Sequence, residues 1–249
     1  MSGHSKWSTI KRAKGVTDAK RSAVFTKVAR EISVAARQGG GDSDANYRLR
    51  LAIEKARSVN MPADNIKRTI DKATGGGEGE QFEEIVYEGY GPGGIAILVE
   101  AQTDNRNRTA AEVRSIFVKA GGQLAGSGAV AWQFEPRGFI EVARAGIDVD
   151  EVTLAAIDAG AEDVDSDDDM IAIYTAPHDL EAVRKRLEAG GVPVESAEST
   201  MVARQTVGLD SSKARQALRL VELLEDLDDV QRVTFNVDIP EELLAEVAG

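Results

Sequence analysis

Lys6, Lys11, Arg12 and Lys14 stand around Trp7 in the stretch HSKWSTIKRAKG, residues 4–15, which holds no acidic residue. Cations spaced this way can neutralise phosphates along a nucleic-acid backbone, and an indole among them can stack on an unpaired base. Lys20, Arg21, Lys27 and Arg30 continue the run, and these nine residues form a candidate nucleic-acid contact. A solvated tail would explain the lysines but not the tryptophan, unless the indole packs on the helices that follow.

A second polar run is Thr103-Asp104-Asn105-Arg106-Asn107-Arg108-Thr109. Just before a helix, Arg106 and Arg108 can make a secondary contact to an anion or to single-stranded RNA. The same side chains can instead fasten the helix to a sheet. The sequence favours neither role. The glycine-rich stretch 89–94 lacks the spacing of a phosphate-binding loop and reads as a hairpin turn. Five aspartates between Asp163 and Asp169 lack the glycine and distal glutamate of a calcium loop, so they read as a solvated turn and not as a metal site. There is no cysteine, and His4 and His178 are the only histidines. No nucleophile–base pair or metal-ligand set can be assembled from these types, so no enzyme, cofactor or metal is expected.

The formal charge of −12 is divided unevenly. Residues 1–77 hold 16 Lys and Arg against 7 Asp and Glu (+9), and residues 78–249 hold 14 against 35 (−21). Such a split implies a basic module for a polyanion carried on an acidic body, although a lysine-rich helical surface with no partner would give the same count. No apolar run nears the roughly 20 residues of a membrane helix, and the N-terminus carries no secretory pattern. With no cysteine to oxidise, a cytoplasmic location is expected and no membrane partner.

The elements that must position these residues follow from periodicity. Thr17 and Asp18 start a helix on which Val24, Phe25, Val28, Ile32 and Ala35 form the apolar stripe. At 100° per residue, Lys20, Lys27, Arg30 and Arg37 fall on a separate arc. Helices over 45–58 and from Pro62 to about Ala73 complete a basic helical domain, a thin bundle that must be mobile or lean on the rest. After the linker Thr74–Glu80 the period turns to that of strands, 85–90 and 95–101. Thr109-Ala-Ala-Glu112 resembles a capping box opening the next helix. Residues 134–204 follow the order βαββαβ, a ferredoxin-like pattern. The tail adds a helix, 211–224, and a strand, 230–237, in which Val233, Phe235 and Val237 alternate with Thr234 and Asn236. The fold class is therefore α+β: a three-helix domain, 1–77, then two small sheet-and-helix domains. One of these is discontinuous, 78–133 plus 205–249, with 134–204 inserted.

MSGHSKWSTIKRAKG, Asn60–Ile66, Tyr87–Gly94, Thr103–Thr109, Gly121-Gly122 and Gly126–Val130 also resemble the YebC/PmpR family, nearly end to end and in order. The resemblance implies three domains around a cavity and a cytoplasmic, DNA-binding transcriptional regulator. It also implies a bacterial member, because the chain opens directly on the family's N-terminal motif. Relatives in organelles are translational activators, so a ribosome- or rRNA-associated translation factor is the alternative. The oligomeric state is not implied.

Overall fold

The structure, a computed structural model, describes residues 18–75, 81–167, 170–239 and 243, with residues 18–21 described in backbone only. Helix α1, Asp18–Gly39, ends where Gly40 takes a left-handed φ of 86°. Helix α2, Tyr47–Ser58, starts at Asn46 and not at Ala45. Asn46 is a buried clasp. Its Oδ1 accepts the Leu49 N–H at 3.0 Å, and its Nδ2 donates to the carbonyls of Ala35 and Gly40, each at 2.8 Å. One side chain thus caps α2 and ties down the end of α1. Helix α3, Ala63–Thr74, follows Pro62. Ile32, Leu49, Ala52, Ala56, Met61 and Ile66 form the core between the three helices. At 22 residues α1 is the longest of the described helices.

Strands β1, Glu83–Tyr90, and β2, Ala96–Thr103, form an antiparallel hairpin across a turn in which Gly93 and Gly94 take φ of 77° and 79°. Helix α4, Arg106–Lys119, leads back to β3, Gln123–Ala125, a strand too short to leave a sequence signal. β2 and β3 both run antiparallel to β1, so they are parallel to each other with β1 between them. The expected capping box is corrected here. Asn105 caps α4, its side chain accepting the Arg108 N–H at 3.1 Å, and Thr109 lies buried inside the first turn.

Strand β4, Phe134–Ala143, begins four residues earlier than Gly138. Pro136 hides its start and is tolerated because there β4 pairs on one side only. Helix α5, Val149–Ala159, strands β5, Asp163–Ser166, and β6, Met170–Thr175, helix α6, Leu180–Ala189, and strand β7, Val194–Ala203, complete the unit. Its antiparallel order, β5-β6-β4-β7, is that of the ferredoxin-like pattern. Asp163 and Asp165 belong to β5, and Asp167 turns the chain by accepting the Met170 N–H at 2.9 Å.

The chain then returns to the first sheet. After the short β8, Val207–Gly208, helix α7, Ser211–Glu225, packs beside α4, and β9, Val230–Phe235, pairs with β2 in the order β3-β1-β2-β9. The tail strand breaks at Asn236, whose Oδ1 accepts the Ala96 N–H at 2.8 Å, and resumes as β10, Val237–Asp238, parallel to β8. Thr234 and Asn236, the polar members of the alternation, are 1% and 2% exposed. Val130 and Phe134 pack there against Ala96 and Leu98 of β2, so the sheet is covered on both faces at that end of β2, while Val86 and Tyr90 of β1 stay exposed. No described helix is long and apolar enough to cross a membrane.

Candidate nucleic-acid interface

The arm residues Lys6, Trp7, Lys11, Arg12 and Lys14 lie outside the described residues. Lys20 and Arg21 fall on the first turn of α1, beyond the described side chains. Lys27 and Arg30, assigned from sequence to nucleic acid, are engaged within the chain. The Lys27 ammonium donates to the Glu225 carbonyl at the end of α7, and Arg30 donates to the Asp228 carbonyl. Arg30 also pairs with the buried Asp229 carboxylate at 2.8 Å. These bonds dock α1 onto the turn between α7 and β9.

Asp229 is a hub. Its Oδ2 accepts from the Thr109 hydroxyl at 2.6 Å, the Thr103 hydroxyl at 3.0 Å and the Arg108 guanidinium at 2.7 Å. Burial on its own would raise this carboxyl. The bonds from Thr109, Arg108 and Thr103, with the Arg30 charge, outweigh it and hold the group below the usual carboxylate range. Arg108 is held further by Asp104 at 2.8 Å, so in this run it fastens helix to sheet. Arg106 makes a looser link to the sheet. It is exposed, with Glu83 at 3.7 Å.

Two further features were not legible from sequence. A cleft of about 380 Å³ opens between α1 and α3, lined by Arg30, Ser33 and Arg37 from α1, Thr69 and Lys72 from α3, and Phe82. No carboxylate lines it. The Arg30 guanidinium lies over the Phe82 ring, 5.3 Å from its centroid. Arg37 stood on the expected basic arc. Lys72 and Phe82 gave no signal, because only tertiary packing brings α3 and the linker's far end to α1. Among the described residues Arg37, Arg57, Lys67, Arg68 and Lys72 are exposed and form no ion pair, whereas Arg48 pairs with Glu84, Lys55 with Glu31 and Arg184 with Glu54.

The second feature is a pinned loop. The buried Glu88 carboxylate accepts the N–H groups of Gly128 at 2.6 Å, Val130 at 2.7 Å and Ala131 at 2.8 Å. Burial pushes this carboxyl up, but the three donors prevail and lower it. The Tyr90 hydroxyl and the Trp132 indole both donate to the Ala129 carbonyl, at 3.0 and 3.1 Å, which leaves Trp132 presented at 70% exposure. Two of the three donors, Gly128 and Val130, lie within the Gly126–Val130 motif that carried the family resemblance, and Ala131 follows it.

His178 is exposed beside Asp179, and no group of three potential metal ligands occurs among the described residues.

Residues 5–76 match the family described as "TACO1/YebC protein N-terminal domain", and residues 82–237 match "TACO1/YebC second and third domain". The chain belongs to the TACO1/YebC family. A "Probable transcriptional regulatory protein" of Dehalococcoides mccartyi strain 195 is 55% identical over 244 residues, covering 98% of this chain and 97% of the relative. One with the same description from Rubrobacter xylanophilus is 54% identical over 250 residues, the whole of both chains. The crystal structure of a conserved hypothetical protein from Aquifex aeolicus superposes with a TM-score of 0.86 at 49% identity, covering 91% of this chain and 94% of that one. The match joins the helical unit and both sheets in one architecture, the α+β fold expected of a YebC-family chain.

Proposed function

We propose that this YebC-family chain is a cytoplasmic, non-catalytic, nucleic-acid-binding regulator of gene expression that acts on duplex DNA as a transcriptional regulator. It touches mainly phosphates. Lys6, Lys11, Arg12 and Lys14 with Trp7 form an arm, Lys20 and Arg21 extend it, and Arg57, Lys67 and Arg68 supply the neighbouring helical face. The observation that carries this reading is the charge division: a +9 helical third with exposed, unpaired cations on a −21 remainder. A long polyanion is repelled by the remainder and drawn to the helices. The names of the relatives support regulation of transcription. The chain divides on this reading into a nucleic-acid-facing unit, 1–77, a discontinuous unit, 78–133 plus 205–249, and the inserted unit 134–204.

The same charge division favours a second reading, a translation factor whose arm enters rRNA while the acidic units face away. In either case the salt dependence of binding tests the role of the arm. Lys6→Ala/Lys11→Ala/Arg12→Ala/Lys14→Ala should weaken binding to a labelled duplex and flatten the plot of log affinity against log salt by about 0.9 for each phosphate that is no longer neutralised. An unchanged slope removes the arm from the interface. Crosslinking in cells followed by sequencing separates the two targets: recovery of rRNA with little promoter DNA overturns the duplex reading.

A further inference from the structure

We propose that the cleft between α1 and α3 seats one unpaired nucleotide of a single-stranded nucleic acid, its phosphate between Arg37 and Lys72 and its base against the Arg30–Phe82 stack. The inference rests on the nucleic-acid reading above and goes beyond it, because neutralising phosphates needs no cleft.

Three observations converge. First, Arg37 of α1 and Lys72 of α3 both line the cleft, exposed, without an ion pair among the described residues and without a carboxylate on the walls. Like charges brought together this way repel, and an anion between them relieves the repulsion. Second, Arg30 is a plane and not a free charge. Asp229 at 2.8 Å and the Asp228 carbonyl fix its guanidinium, and Phe82 backs it at 5.3 Å. Unpaired bases stack on aromatic rings and on guanidinium planes of this kind, with little preference among bases. Third, the Ser33 hydroxyl on the cleft wall makes no side-chain hydrogen bond among the described residues and can donate to a phosphate or sugar-ring oxygen, whereas the Thr69 hydroxyl is already spent on the Asn65 carbonyl at 2.8 Å. At about 380 Å³ the cleft lies within the roughly 300–1,000 Å³ of small-ligand sites and is far too narrow for a duplex.

The full chain is tested by fluorescence anisotropy with a short labelled oligothymidylate and with the blunt duplex it forms with oligodeoxyadenylate. Two variants are compared, Arg37→Ala/Lys72→Ala, which alters exposed side chains, and Phe82→Leu, which keeps the wall apolar. Each should show about tenfold or more weaker affinity for the strand, and Phe82→Leu should bind the duplex within about twofold of wild type. Unchanged strand affinity in either variant, or equal weakening on strand and duplex in Phe82→Leu, overturns the nucleotide seat while leaving the arm's role intact. A wild-type chain that binds neither probe overturns the nucleic-acid reading and the seat together.

Discussion

Replacing Asp229 with Asn keeps the shape of the hub and removes its charge. The native carboxylate is 3% exposed and receives Thr103, Thr109 and Arg108 on one oxygen and Arg30 on the other. An amide has one accepting oxygen, so either Arg30 or the trio on Oδ2 meets an NH₂ group instead. Breaking a buried charged pair costs about 3–5 kcal/mol. The Arg30 side chain is 15% exposed and that of Arg108 43% exposed, and water shields the latter, so about 3 kcal/mol is the expected loss. For a chain of this length that lowers the thermal midpoint by roughly 6–12 °C. The pH dependence has a definite sign. The folded Asp229 carboxyl lies below its ordinary value of about 3.9, so its contribution is complete above about pH 4 and fades as pH falls through the lower folded value. Calorimetry of both proteins at pH 7 and at pH 3 checks this: the gap should be wide at pH 7 and narrower at pH 3. A variant within about 1 °C of wild type at pH 7, or a gap that does not narrow in acid, would refute the hub.

Glu88→Gln leaves at most two of three loop N–H groups with an acceptor, at a cost of about 2–4 kcal/mol. Amide exchange at Gly128, Val130 and Ala131 should quicken at least about tenfold; unaltered exchange would mean that the loop holds itself. The native Glu88 carboxyl is also lowered, so its stabilisation is present above the ordinary carboxylate range and lost as pH falls through the folded value. Gly89→Ala puts a methyl 2.5 Å from Phe117 Cε1 and 2.8 Å from the Gln123 carbonyl oxygen. Overpacking there should cost about 1–3 kcal/mol in urea denaturation, and an unmoved midpoint would show that the Phe117 ring yields.

What the sequence disclosed was local. The apolar spacing in α1 and α2 named the residues that are buried, and the βαββαβ order of 134–203 was readable because each element there follows its neighbour. What it concealed was non-local. Thr109 looked like a cap because Glu112 stands three residues on, yet its hydroxyl serves Asp229, 120 residues away. The alternation of Thr234 and Asn236 with Val233 and Phe235 cannot reveal that Phe134 and Val130 cover the polar side of the strand. Arg30 looked like a free cation, and the role of Arg108 stayed open, for the same reason. Their acid lies far along the chain, and a count of charges does not say which are already spent.

The first sheet is interrupted by an entire folding unit, and this has a consequence for synthesis. β2 is complete at Thr103, yet its second neighbour, β9, ends at Phe235. At synthesis rates of roughly 5–20 residues per second, on the order of ten seconds separate the two at the ribosome. During that interval the edge of β2, with Ile97, Leu98 and Val99, has no strand beside it, while everything needed for the β4–β7 sheet emerges. Open apolar edges of this kind recruit foreign strands. The order of birth is therefore inverted relative to the order in sequence. The inserted sheet can close first, and the segment that begins earlier must wait as an unfinished template for a strand the ribosome delivers only after the whole inserted sheet.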